Sequence, residues 1–157
     1  MTEERPEVSE FGSVDPAPPS ESSDIQTLRD TLCSEDAKMF LRMRALFALR
    51  NFGGPEAVHA LASAFESESA LLKHEIAYVL GQMQNDAAVP FLIERLEDLG
   101  EDVMVRHEAA EALGAIGNRG ALATLEKFIG DEEIVVSESC EVAIDLLNWV
   151  SRSNIEE

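Results

Sequence analysis

A thirteen-residue segment returns four times in this chain, and that recurrence limits the possible folds more than any other feature. The copies are LRMRALFALRNFG from Leu41, LKHEIAYVLGQMQ from Leu72, VRHEAAEALGAIG from Val105 and VSESCEVAIDLLN from Val136. Their leucine or alanine markers fall at Leu49, Leu80, Leu113 and Ala143, at steps of 31, 33 and 30 residues. Apolar residues inside each copy recur every three or four positions, which is the period of a helix and not of a strand. A unit of this length, repeated in tandem, cannot bury its apolar face alone and must stack on its neighbours.

Each marked helix is preceded by a second amphipathic stretch, expected over Ile25 to Cys33, Glu56 to Phe65, Ala87 to Leu99 and Ala121 to Ile129. The expectation is therefore eight helices in four pairs, an all-α superhelix in which each pair is a helix-turn-helix. Composition agrees: hydrophobic residues make up 45% of the chain but aromatics only 6%, which favours helices over a sheet. Asp86 is read as an N-cap, Pro90 falls in a first helical turn, and Gly53-Gly54, Gly100 and Gly130 mark turns. The 157 residues suffice for one domain, expected over 24–150. Residues 1–23, with the stretch SVDPAPPS, read as a flexible acidic arm or linker, and 151–157 as a tail.

The formal charge of −19 comes from 31 acidic and 12 basic residues, so nucleic acid and anionic membrane surfaces are excluded as partners and cationic ones are favoured. Residues 1–24 carry only −6 of it, so the folded part is acidic too. Cys33 and Cys140 form no Cys-x-x-Cys pattern, and no apolar run approaches the length of a membrane span. A reducing cytoplasm without a signal peptide or anchor is the expected setting.

The two central repeats carry His74-Glu75 and His107-Glu108 at one shared position, 33 residues apart. The outer repeats have Met43-Arg44 and Ser137-Glu138 there, so folding alone does not demand the histidines. Packed helices lie about 8 to 10 Å apart, which lets two imidazoles on matching faces reach one metal ion. Two imidazoles with carboxylates suit non-haem iron with open positions, with manganese and zinc as alternatives. Neither pair extends to H-E-x-x-H, since Tyr78 and Glu111 stand four residues beyond the histidines, and a zinc-protease helix is disfavoured. Gly81 and Gly114 each follow a histidine by seven residues on nearly the same helix face. They mark either a bare patch for an approaching backbone or close helix packing. Duplication of a solvated surface pair is the plainer account of the His-Glu repeat. His59 has no counterpart in other repeats and reads as a bystander. Tyr78, Trp149, Met39, Met43, Met83 and Met104 read as packing residues, and Cys140, aligned with Ala110, as a small buried one.

The segments LLKHEIAYVLGQMQ and MVRHEAAEALGAIG, with RALFALRNFGG before and SESCEVAIDLL after, resemble the deoxyhypusine hydroxylase family. The resemblance covers about Ser13 to Trp149. It implies a HEAT-like (α-α superhelix) solenoid and, since that family has two similar halves joined by a linker like SVDPAPP, that this chain matches the second half. It further implies an iron monooxygenase with a di-iron centre, Fe(2+) as cofactor and O2 as co-substrate. The implied substrate is the deoxyhypusine form of eukaryotic initiation factor 5A, hydroxylated to hypusine. On the matching positions, His74 and His107 would ligate iron, Glu75 would supply a carboxylate toward the opposite half, and Glu108 would ligate or position substrate. Completion by a homodimer or by the other half is the expected assembly. The competing readings are a non-catalytic HEAT scaffold or truncated product, and a lyase-like chromophore-attachment subunit.

Overall fold

In a computed structural model, the chain is described over residues 5–156, with side chains described to residue 152. Residues 1–4 of the expected arm and residue 157 of the expected tail lie outside the described residues. The helices are α1 (Ile25–Cys33), α2 (Met39–Phe52), α3 (Gly54–Ser63), α4 (Ala70–Met83), α5 (Val89–Glu97), α6 (Val103–Ile116), α7 (Leu122–Lys127) and α8 (Ile134–Glu156). No strand forms among the described residues beyond a single bridge between Val8 and Val14. Successive pairs stack so that α2, α4, α6 and α8 form one layer and α1, α3, α5 and α7 the other. The continuous core between them is leucine, alanine and valine, with Leu46, Leu80 and Leu113 fully buried. This is the expected all-α solenoid of four pairs.

The expected outer-layer helices differ at their ends for local reasons. A 3₁₀ turn at Ala64–Glu66 follows α3, and 3₁₀ turns at Asp86–Ala88 and Arg119–Ala121 lead into α5 and α7. Asn85, not Asp86, is the cap there, its side chain accepting from the Ala87 amide at 2.9 Å. Helix α8 runs on to Glu156, through the residues expected as a tail.

The inner helices α2, α4 and α6 are each 14 residues long, and the marked position is the fifth residue of each: Met43, His74 and His107. Ser69 and Asp102 fix where α4 and α6 begin, by accepting from the amides of Leu72 and Met104. The residue before each mark is a buried or half-buried base that ties the layers together. Arg42 donates to the Leu32 carbonyl at 2.9 Å, Arg106 to the Leu96 carbonyl at 3.0 Å and to Asp131 at 2.6 Å, and Lys73 to Glu101 at 2.6 Å.

The register of the fourth unit is a correction. Buried Val105, Ala109 and Ala112 of α6 correspond to buried Val136, Cys140 and Ala143 of α8, one residue further than the step from Leu113 to Ala143 had set. Glu138-Ser139, not Ser137-Glu138, therefore stands where His107-Glu108 stands. The apolar face decides the register, because a slip of one residue would turn Cys140 outward.

Gly81 and Gly114 serve close packing. A Cβ on Gly81 would lie 3.1 Å from the Ala112 Cα, and one on Gly114 would lie 3.0 Å from the Ala143 Cβ. The matching residue of α2 is Arg50, and α2 packs more loosely on α4. The segment expected as a free arm is docked in this gap. Asp15 takes the Arg50 guanidinium on both oxygens at 2.9 and 2.6 Å, Phe11 lies over it at 4.5 Å, and Arg44 holds the Pro18 and Pro19 carbonyls. Ala17 is buried beneath. An arginine too large for helix-to-helix closure, and fully buried, requires a carboxylate from elsewhere.

Several residues expected in the core are outside it. Tyr78, Met104 and Trp149 are exposed, at 39%, 48% and 65%, whereas Met43 and Cys140 are buried and Met39 and Met83 partly so. His59 packs edge-on against Phe91, away from the other histidines.

Candidate metal centre

Because α4 and α6 have the same length, the same marked position and direct contact through Gly81, their fifth residues both reach the Glu108 carboxylate. The Glu108 carboxylate lies between the two imidazoles, its Oε2 3.3 Å from His74 Nε2 and 3.4 Å from His107 Nε2. Glu108 is buried, while both rings are partly open to solvent. Donor atoms bound to one first-row metal ion at about 2.1 Å stand roughly 3 Å apart. Each imidazole stands about that far from the Glu108 oxygen, and two imidazoles with a carboxylate are the donor set of an open, non-haem iron site. The residues present therefore fit a metal ion.

Electrostatics point the same way. Burial pushes the Glu108 carboxyl above its usual range, against the opposing pull of the His74 imidazole. Burial does the same to Glu75, where His74 again opposes the shift and the negative Asp15 adds to it. A cation between the imidazoles and Glu108 would offset that desolvation.

The four residues singled out from the sequence do not play one part. Glu108 contacts both His74 and His107, whereas half-buried Glu75 forms no hydrogen bond or ion pair with another described residue and faces the charge of Asp15. Two residues were missed. Glu111 brings a carboxylate oxygen 3.9 Å from His107 Nδ1, and ligand atoms of His107, Glu108 and Glu111 lie within 4.8 Å of one another. Its i+4 spacing from His107 was the available signal, and it had been used only to exclude a protease motif. The second is Ser139, whose hydroxyl lies 2.6 Å from His107 Nδ1. A cavity of about 350 Å³ opens beside Glu108 and Glu111, bounded by Tyr78 and Gln82 and floored by Ala112 and Ala115.

The comparisons with known proteins agree with the fold. A family model described as HEAT repeats matches residues 60–145, and one described as PBS lyase HEAT-like repeat matches residues 41–67. Deoxyhypusine hydroxylase of Xenopus laevis is 51% identical over 151 residues, covering 96% of this chain and 50% of the relative. The Homo sapiens enzyme is 52% identical over 141 residues, covering 90% and 47%. The solved structure of human deoxyhypusine hydroxylase in complex with glycerol superposes with a TM-score of 0.88 at 51% identity, covering 92% of this chain and 50% of that one. The chain thus spans about half the length of the curated relatives it matches. It belongs to the HEAT-repeat family, and in sequence and structure it is similar to half of a deoxyhypusine hydroxylase.

Proposed function

We propose that this chain is one half of a deoxyhypusine hydroxylase, the second, and that His74, His107 and Glu108 hold an iron ion for it. The observation that carries this reading is the contact of one Glu108 oxygen with both imidazole nitrogens. Ferrous iron held there with open positions would supply the dioxygen chemistry of a hydroxylase, with an external reductant furnishing the two electrons that each turnover consumes.

The chain's own residues do the rest. Two capped, closely packed helices hold the imidazoles and the carboxylate by packing and not by a loop, which fixes their geometry before substrate arrives. The cavity beside Glu108 and Glu111 takes a slender side chain, and the acidic wall holds its amines. That suits deoxyhypusine, a lysine extended by an aminobutyl group, on eukaryotic initiation factor 5A. Glu75 serves the opposite half, which supplies a second His-Glu set, so that a di-iron centre forms between the two. A cytoplasmic setting follows from that substrate.

The test is anaerobic ferrous loading followed by iron counting, and hydroxylation of a deoxyhypusine-bearing substrate by the completed two-half enzyme. We expect one ion per chain, and loss of bound iron and of turnover by at least a hundredfold with His74→Ala plus His107→Ala. Less than one ion per two chains, or hydroxylation persisting in the double variant, would overturn the reading.

A further inference from the structure

We infer that Ser139 is a positioning residue that fixes which nitrogen of His107 carries hydrogen, and so leaves Nε2 free to bind a cation. The inference rests on the metal reading above for its functional consequence, but its structural half stands alone.

The repeat geometry explains why a serine sits there. In the corrected register Ser139 of α8 is the counterpart of Glu108 in α6, and each reaches back to the histidine of the preceding inner helix. Glu108 meets His74 at Nε2, and Ser139 meets His107 at Nδ1. One position of the solenoid is thus used first as a carboxylate and then as a hydroxyl.

The hydroxyl has one hydrogen, and its surroundings decide where that hydrogen goes. Ser139 Oγ lies 2.6 Å from the Val135 carbonyl oxygen and 2.6 Å from His107 Nδ1, and Ser139 is 6% exposed. A carbonyl oxygen can only accept. If the hydroxyl donated to Nδ1, two oxygens would face each other at 2.6 Å with no hydrogen between them. The hydroxyl therefore donates to Val135, and Nδ1–H donates to the hydroxyl. A neutral imidazole with hydrogen on Nδ1 has its lone pair on Nε2, which is the atom 3.4 Å from the Glu108 carboxylate. A lone pair facing a carboxylate oxygen is repulsive unless a proton or a metal cation lies between them. The hydroxyl also holds the ring plane, as partners of metal-bound histidines do. His74 has no hydrogen-bond partner at Nδ1 among the described residues, so it is an internal control.

The test reads the ring directly. Nitrogen-15 spectra of the metal-free 157-residue chain at a pH where the rings are neutral should give the Nδ1–H form for His107. Ser139→Ala should give a mixture of both forms at His107 and leave His74 unchanged, and Ser139→Thr should restore the single form. Ferrous iron and zinc, titrated separately without oxygen, should bind Ser139→Ala about 10- to 100-fold more weakly than the parent chain. Hydrogen on Nε2 of His107 in the parent chain, or a Ser139→Ala chain with unchanged His107 signals and unchanged metal affinity, would overturn the inference. Failure of the parent chain to bind either metal would overturn the metal reading instead, with the spectra still deciding the place of the hydrogen.

Discussion

Glu108 is buried in the metal-free chain at a cost that its position between two imidazoles explains. Its carboxyl titrates above the usual range because burial disfavours the anion. A carboxyl raised in the folded state stabilises the fold below its unfolded pKa of about 4.3, and that contribution is lost as pH rises through the folded value. Glu108→Gln should therefore make the metal-free chain more stable than the parent at pH 7, with the difference closing below about pH 4. The same variant should lose the stabilisation that a hundredfold excess of metal over its dissociation constant gives the parent, about 2.7 kcal/mol. Thermal melts with and without zinc across pH check both halves, and a variant less stable at pH 7 without metal would contradict the argument. The His-Glu pairs were legible in the sequence because two repeats bear them at one position. Glu111 and Ser139 were not, for different reasons. A glutamate one turn from a histidine looks like any solvated helix residue, and Ser139 lies in a repeat without the motif, where a one-residue error in register hid its alignment with Glu108.

Among the helices, the contrast between glycine and arginine at one position sets how the inner layer closes. Gly81 and Gly114 let α4, α6 and α8 approach until side-chain and backbone carbons would touch an added Cβ at 3.0 to 3.2 Å. Glycine inside a helix is itself unfavourable by roughly 0.5 to 1 kcal/mol against alanine, so replacement would help an isolated helix. Packing outweighs that here. Gly114→Val should destabilise the fold by about 1 to 3 kcal/mol, measured by urea unfolding, because the branched side chain must push α8 from α6. It should also weaken metal binding, since Ser139 would withdraw from His107; a variant of parental stability would show the contact to be loose. Helix pairing was legible because apolar periodicity is strong in every repeat. The 3₁₀ turns were not, since one residue of added winding leaves that pattern intact. The docked segment was also hidden: its anchor joins Asp15 to Arg50, 35 residues apart, and proline-rich acidic sequence alone reads as a tether.

Across the whole molecule, the net charge of −19 acts on two associations in opposite ways. A substrate bearing amines is attracted to the acidic surface, so its affinity should fall as salt rises. Two copies of this chain repel, so any self-association should strengthen as salt shortens the screening length, which is about 10 Å at 0.1 M. The same logic bears on assembly. On the proposed reading one chain supplies His74, His107 and Glu108 for one ion, and the second His-Glu set of the di-iron centre has to come from another half. A single chain should accordingly bind metal without turning substrate over. Turnover should appear only in material of doubled mass or after the complementary half is added. Light scattering on a sizing column, with activity assayed fraction by fraction at low and high salt, separates these outcomes. Activity that stays with the single-chain mass at every concentration would mean that one set of His74, His107 and Glu108 suffices, and that the cavity beside it is a complete site.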